Sequence, residues 1–350
     1  MEKKPILTEE QNHLLSSIKK EIQNKQFICI GGYAGSGKST CLSELTNAYP
    51  NFAVCAFTGK AANVLRKKGI GDAATIHSTI YHVEEDYKGN PKFYLKPKNK
   101  IDFRGFFIDE ASMISEELFS DIMSFDLPVV FFGDHGQLEP VGSSFNLMKK
   151  PHYKLETIHR NANSIAKFAD FLRKGNSAIE YSSDDRVKLV AKKTLKNELL
   201  ADVDQIICGF NRTRISFNKR IREHLGYEDV LVKGERIICL KNNKTLNIFN
   251  GMQGTVKTIK KNKVKIQTDN GFCEIPIDQK QFNQEKLLEA ANSDRETGFF
   301  DYSYAITTHK AQGDEWDKVL VYEEKCDLWS HERWAYTAAS RAKEMLYWAV

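Results

Sequence analysis

Eight consecutive residues, Gly32-Tyr33-Ala34-Gly35-Ser36-Gly37-Lys38-Ser39, carry the sharpest chemistry in this 350-residue sequence. They fit the spacing GxxxxGK[ST] and lie between an apolar run, Phe27–Ile30, and a helix-compatible run, the context that a phosphate-binding loop requires. Glycines so spaced let backbone N–H groups close around phosphate oxygens at a helix N-terminus. Lys38 then reaches the β and γ phosphates of a nucleoside triphosphate, and Ser39 offers its hydroxyl to Mg²⁺. The expected nucleotide contacts run from Gly32 through Ala34, Gly35, Ser36 and Gly37 to Thr40.

A hydrolytic site needs acids as well. Phe106-Phe107-Ile108-Asp109-Glu110 is a buried-strand pattern ending in two carboxylates. Asp109 is suited to hold Mg²⁺ through water and Glu110 to polarise an attacking water, although Asp-Glu before Ala-Ser also suits a helix cap. Val129–Phe132 leads into Gly133-Asp134-His135-Gly136-Gln137-Leu138, which puts the Gln137 amide at a strand's C-terminal end, where α/β sheets bind ligands. Phosphoryl transfer also calls for positive charge from across a cleft. Arg160 and Arg341 are the candidates, with the commoner fate of an arginine, a solvated surface pair, left open for each. Thr8-x-x-Gln11 reads as a capping box, and pairing of the Gln11 amide with adenine is the competing reading.

These groups need sheets whose strand ends converge. Apolar runs at Phe27–Ile30, Phe52–Phe57, Phe106–Ile108 and Val129–Phe132 alternate with helical patterns, and a second series follows at Gln205–Phe210, Tyr304–Thr307, Val319–Tyr322 and Leu346–Ala349. The alternation predicts an α/β chain of two tandem lobes, 1–154 and 155–350, each a parallel sheet covered by helices. A helix over Ser164–Lys174, ended by Gly175, lies between the two series. Two inserts interrupt the rhythm. Residues 79–104, with Tyr81, Tyr87, Phe93 and Tyr94 around Gly89-Asn90-Pro91, predict a short hairpin. Residues 231–284, with turns at Asn250-Gly251, Lys261-Asn262 and Asn270-Gly271, predict a small β-barrel, free of acidic residues between Lys241 and Lys265.

The net charge of +5 and a pI near 8.6 fit a nucleic-acid partner without requiring one. Seven scattered cysteines with no CxxC spacing argue against structural zinc or a disulfide framework, and for a reducing cytoplasm. There is no apolar run of about 18 residues and the N-terminus is polar, so neither a membrane span nor a signal peptide is expected.

Taken in order, these segments resemble the motif set of superfamily 1 helicases over nearly the whole chain. They are Gln11, the GxxxxGKS loop, Phe57-Thr58-Gly59-Lys60-Ala61-Ala62, Thr75-Ile76-His77, Asp109-Glu110-Ala111-Ser112, Gly-Asp-x-x-Gln-Leu, Arg160, Thr307-Thr308-His309-Lys310-Ala311-Gln312-Gly313 and Tyr336-Thr337-Ala338-Ala339-Ser340-Arg341-Ala342. Within the superfamily the chain looks most like the RecD and Dda group, whose SH3-like insert begins much as Asn250-Gly251-Met252-Gln253-Gly254-Thr255-Val256 does.

The resemblance implies two RecA-like lobes with ATP and Mg²⁺ between them, single-stranded DNA across their top, and 5′-to-3′ movement. It implies ATPase roles for Lys38, Ser39, Asp109, Glu110, Gln137, Arg160 and Arg341, adenine reading by Gln11 beside its cap, and nucleotide contacts at Gly313 and Glu315. It sets Thr58, Lys60, His77, Asn211, Thr307 and His309 against the nucleic-acid strand. It also implies a strand-separating pin in the first insert, with Phe93 or Tyr94 as the wedge and a minor core beneath the hairpin as the alternative. The expected protein is a minimal, monomeric, phage-type DNA helicase of the host cytoplasm. It would act on single-stranded DNA and its junctions with duplex, in replication, repair or recombination, beside a single-strand-binding protein or a replication machinery. The rival readings are an RNA helicase of the same superfamily, a protein–DNA remodelling translocase that hardly unwinds, and an ATP-gated binding module.

Overall fold

The apolar runs of the first half form the middle of a six-stranded parallel sheet, because a strand covered on both faces needs apolar side chains on both. The computed structural model describes residues 7–85, 91–139, 145–158, 164–241, 243, 246, 248, 250–261, 263–268, 271–288 and 297–350. The strands of this sheet are β1 (Phe27–Gly32), β2 (Ala53–Ala56), β3 (Ala74–Thr75), β6 (Phe106–Asp109), β7 (Val129–Gly133) and β8 (Tyr153–Leu155), in the order β3-β2-β6-β7-β1-β8. Between β3 and β6 the chain makes the expected hairpin, β4 (Tyr81–Glu85) against β5 (Pro91–Leu95), antiparallel.

Helices α1 (Glu9–Glu21), α2 (Lys38–Ala48) and α3 (Gly59–Lys67) flank the sheet with α4 (Ile76–Ile80) and α5 (Glu116–Met123). Alternate strand residues divide its core. Ile28, Ile30, Phe107 and Phe132 pack with Leu14, Ile18, Leu42 and Leu45 on one side. Cys29, Phe106, Ile108 and Phe131 pack with Ile76, Leu118 and Ile122 on the other.

The second series behaves the same way. Strands β9 (Val187–Val190), β10 (Gln205–Cys208), β16 (Ala305–Thr307), β17 (Trp316–Tyr322) and β18 (Ala342–Ala349) form a parallel sheet in the order β16-β10-β17-β18-β9. Helix α6 (Ser164–Arg173) stops as expected at Gly175, whose φ of 83° is left-handed. Together with α9 (His331–Ala339), α6 buries Phe168, Trp334 and Trp348 against one face of this sheet.

The other face merges with the core of the second insert through α8 (Asn211–His224), with α7 (Asn197–Asp202) beside it. That insert is an antiparallel sheet of β11 (Arg236–Cys239), β12 (Gln253–Lys260), β13 (Lys263–Thr268), β14 (Gly271–Pro276) and β15 (Phe300–Tyr302), in the order β14-β13-β12-β11-β15. Its fifth strand comes from beyond the 231–284 stretch that the turn signals mark. No helix among the described residues is long and apolar enough to cross a membrane.

Candidate nucleotide site between the lobes

The loop between β1 and α2 owes its shape to its glycines. Gly35 and Gly37 have φ of 79° and 87°, a region where side chains are disfavoured. A Cβ on Gly32 would come within 2.8 Å of both the Lys38 and Ser36 side chains. Gly37 precedes α2 without a side-chain cap, so the first N–H groups of that helix are offered to the cleft, an arrangement suited to phosphate. The Lys38 ammonium donates to Gly32 O at 2.6 Å and Tyr33 O at 3.0 Å, and lies 4.0 Å from Asp134 Oδ2. The Ser39 hydroxyl accepts from Lys68 Nζ at 3.4 Å.

The paired carboxylates follow β6. Asp109 Oδ1 accepts from Glu110 N at 2.9 Å, and burial raises the Asp109 pKa. Glu110 has φ 57° and ψ 41°, an unusual backbone for a residue with a side chain and typical of strained functional positions. It does not cap a helix with its side chain. Burial pushes its carboxyl up to about 7, against the pull of Arg341, whose Nη1 lies 3.8 Å from Glu110 Oε1. A base near that value is matched to taking a proton from water at neutral pH.

Arg341 belongs to the second lobe, just beyond α9. It is 4% exposed and is held by Thr337 O at 3.0 Å, Asp314 O at 3.2 Å and Ser340 Oγ at 2.9 Å. It is therefore a fixed charge aimed across the lobe boundary, not a solvated surface arginine. A cavity of about 530 Å³ lies between the lobes, and Ala34, Gly35, Gly37, Lys38, Ser39, Asp109, Glu110, Gln137, Gly313, Glu315 and Arg341 all line it. Gln137 is 4% exposed, and its Oε1 has no hydrogen-bond donor among the described residues. A water beside a terminal phosphate would satisfy that oxygen. The uncapped helix end, the glycine cradle, the Ser39–Asp109 pair and this acceptor together fit a magnesium-bound nucleoside triphosphate.

Other expected residues lie elsewhere. Gly32, Ser36 and Thr40 sit outside the cavity lining. Gln11 closes the capping box with Thr8, accepting from Thr8 N at 3.0 Å, and its Nε2 donates to Ser36 O at 3.3 Å. Being 3% exposed and away from the lining, it braces the phosphate loop from behind. Arg160 lies outside the described residues.

Thr58, Thr307 and Asn211 stand at or next to the C-terminal ends of β2, β16 and β10, with Lys60 in the first turn of α3. The Thr58 and Asn211 side chains also serve locally, accepting from Ala61 N at 3.1 Å and from Arg214 Nε at 3.1 Å. His77 lies on α4 with its ring 5.6 Å from that of Tyr81. His309, whose pKa burial pushes down, lies 6.5 Å from the Trp329 ring, which in turn sits 5.1 Å from Phe210. On the hairpin, Phe93 is half-buried with its ring 6.4 Å from Tyr81, whereas Tyr94 is 45% exposed. The minor-core reading thus suits Phe93 and leaves Tyr94 as the outward aromatic.

Sequence reasoning passed over Asp134, Tyr336, Thr337, Arg333 and Gln312, although most lie inside segments already singled out. Tyr336 OH donates to Asp134 Oδ2, Leu138 N donates to Thr337 Oγ1 at 2.9 Å, Arg333 Nη1 donates to Gln137 O at 3.2 Å, and Gln312 Nε2 donates to Leu138 O at 2.8 Å. A Tyr-Thr pair inside the buried second half of α9 was the available signal.

Residues 6–192 match the AAA domain family, and residues 302–348 match the UvrD-like helicase C-terminal domain. The chain is 24% identical to the ATP-dependent RecD2 DNA helicase of Deinococcus radiodurans over 97% of its own length and 48% of that protein's. It is 24% identical to the conjugal transfer protein TraA of Rhizobium radiobacter, covering 90% of this chain and 30% of TraA. A RecBCD enzyme subunit RecD from Buchnera aphidicola is also 24% identical, over 77% of this chain and 57% of that subunit. The chain thus spans about half the length, or less, of the first two of these curated relatives.

Among solved structures it is similar to Bacteroides Pif1 bound to ssDNA, with a TM-score of 0.57 at 19% identity, covering 99% of this chain and 92% of that one. Pif1 helicase from Candida albicans gives a TM-score of 0.51 at 19% identity, covering 99% and 94%. The AAA domain match runs over more than half of the chain, so the chain belongs to the AAA domain family; the UvrD-like helicase C-terminal match covers most of the last four elements of the second lobe, and the fold is like that of the two Pif1 structures.

Proposed function

We propose that this chain hydrolyses ATP to move along single-stranded DNA from 5′ to 3′ and to separate duplex ahead of it. The observation that carries the reading is Arg341, a buried second-lobe cation 3.8 Å from the first-lobe base Glu110, at a cleft that also holds the phosphate loop. In this scheme Lys38 and the α2 N–H groups bind the phosphates, Glu110 takes the proton of the attacking water, and Gln137 orients that water. Arg341 neutralises charge that builds on the transferred group, and Arg160 is assigned the same task. Mg²⁺, held by Ser39 and Asp109, would shield the phosphate oxygens.

Because the base and the arginine sit on different lobes, hydrolysis and lobe closure become one event. The strand is gripped alternately by the loops carrying Thr58 and Thr307, through phosphates and stacking, with no demand on base sequence. Phe210, Trp329 and His309 supply stacking surface beside Asn211. Tyr94 on the hairpin is the proposed wedge, in place of Phe93. The protein works as a monomer in the cytoplasm, on single strands and their junctions with duplex, alongside single-strand-binding or replication proteins.

The test is ATP-driven opening of one short DNA duplex bearing either a 5′ or a 3′ single-stranded tail, with Lys38→Ala as the control. Opening of the 5′-tailed duplex alone is the expected result. Opening of the 3′-tailed duplex alone overturns the direction. If neither opens while single-stranded DNA still stimulates turnover, the motor is a remodelling translocase. Stimulation by RNA alone moves it to the RNA branch.

A further inference from the structure

Two side chains of the second lobe that the hydrolytic scheme leaves unused reach the phosphate loop: Arg173, whose Nη1 donates to Tyr33 OH at 3.1 Å, and Tyr336, which goes deeper. Tyr336, on α9, is fully buried. Its hydroxyl accepts from the Ala34 backbone N–H at 2.6 Å and donates to Asp134 Oδ2 at 2.5 Å. Ala34 lies in the phosphate loop, and Asp134 opens the turn that carries Gln137. Asp134 Oδ1 accepts from Gly136 N at 2.9 Å, and Oδ2 lies 4.0 Å from Lys38 Nζ. Close packing leaves the phenol little choice of position, since a Cβ on Gly136 would come within 3.1 Å of the Tyr336 ring and 2.9 Å of the Tyr33 ring.

We infer that Tyr336 is a positioning residue through which the second lobe sets the phosphate loop and keeps Asp134 from capturing Lys38, an inference that rests on the ATPase reading of the cleft. With the phenol and the Gly136 N–H in place, the Asp134 carboxylate has two donors besides the lysine. Its pull on the Lys38 ammonium is then divided, and that ammonium is left for phosphate. Without the phenol, Oδ2 turns to its nearest cation, and the half-buried Ala34 N–H loses its acceptor. Arg341 lies just past the end of the helix that carries Tyr336. A movement that withdraws the arginine from Glu110 therefore withdraws the phenol from the loop as well. One rigid helix delivers the charge and shapes the loop together.

Tyr336→Phe tests this, because it removes one oxygen and keeps the ring. In the nucleotide-free protein, amide exchange in the phosphate-loop peptide should quicken at Ala34. With saturating Mg²⁺–ATP and a single-stranded oligothymidylate, kcat should fall about tenfold or more, the scale of one hydrogen bond to a charged group. The KM for ATP should rise as well, because the ammonium that Asp134 captures is the one that would hold the phosphates of bound ATP. Combined with Asp134→Asn, Tyr336→Phe should add little further loss, because both act through the same bond.

Unaltered exchange at Ala34, an unchanged kcat, or losses that multiply independently in the double variant would each overturn the inference. A wild-type protein that does not turn over ATP, or a Lys38→Ala variant with normal turnover, defeats the reading of the cleft instead. Quickened exchange in Tyr336→Phe would still support the bridge in that case.

Discussion

Exchanging Glu110 for glutamine should stop hydrolysis and, above neutral pH, make the protein more stable. The Glu110 side chain is 19% exposed, and burial lifts its carboxyl from an ordinary 4.5 to about 7 even with Arg341 and Lys38 pulling the other way. A carboxyl whose pKa rises on folding binds its proton more tightly in the folded chain. Its contribution favours the fold fully below about pH 4.5 and is lost as pH climbs through about 7.

A rise of about 2.5 units corresponds to ~3 kcal/mol of destabilisation by the ionised form at pH 8.5. Glutamine carries no charge to strand, but it must still bury a polar amide, so about half of that figure should be recovered. For a lobe of roughly 150 residues melting as a unit, this is a gain of about 3–6 °C. Arg341 keeps its bonds to Thr337 O, Asp314 O and Ser340 Oγ in the variant and is not stranded.

The assay is a thermal melt of both proteins at pH 5 and pH 8.5. The variant should melt slightly lower at the lower pH, where the amide's burial cost remains and the carboxyl is largely protonated in the fold, and higher at the upper. An equal difference at both pH values, or a variant that melts lower at pH 8.5, would refute the argument from burial. Wild-type turnover should rise with pH through about 7 as the base ionises, and hydrolysis by the glutamine variant at the normal rate would mean another base is at work.

Arg341→Ala should bind nucleotide and hydrolyse it about a thousandfold more slowly, the scale of arginine fingers, and a near-normal rate would reduce Arg341 to a structural role. On the hairpin, Tyr94→Ala should keep DNA-stimulated turnover and lose strand separation, whereas Phe93→Ala, on the side facing Tyr81, should lower the melting temperature instead. The opposite pattern would exchange their roles.

The central strands were legible because each is a continuous apolar run buried on both faces, as Val129–Phe132 and Ile206–Cys208 are. The short strands β3, β8, β9 and β15 were not. With two to four residues each, they carry no period of their own and exist because a neighbour offers its edge. The site divides in a similar way. Lys38 and Ser39 declare themselves through local spacing, and the Thr8–Gln11 cap is local as well. The bond between Tyr336 and Asp134 joins residues 202 apart in sequence, and that between Gln11 and Ser36 joins residues 25 apart. No local pattern encodes such pairings, because the first needs two lobes to fold and meet and the second needs α1 to pack beside the phosphate loop. The resemblance supplied Arg341 as a finger. What it did not supply is the ring of contacts that fixes α9 to the turn at Asp134–Leu138.

The small antiparallel sheet and the second lobe are joined in a way that makes them move as one body. Helix α8 carries Arg214, Asn218 and Arg222, four residues apart and so on one face. Arg214 pairs with Asp301 on β15, and Arg222 with Glu235 at 2.5 Å, all four side chains being nearly inaccessible to water. Between them Asn218 donates to Tyr302 O at 3.1 Å and accepts from Ala305 N at 2.8 Å. Pulling the sheet off this helix would strand two buried ion pairs, each worth about 3–5 kcal/mol when broken by loss of one member. Sliding would do the same, since among the described residues each arginine pairs with one buried carboxylate. Lys310, in the segment after β16, also donates to Asn250 in the turn before β12. That segment continues to Gly313, which lines the nucleotide cavity. A load applied to the small sheet is therefore carried to the second-lobe wall of the cleft through buried, paired charges. This is rigid-body mechanics, and it needs no chain of small rearrangements between the two places.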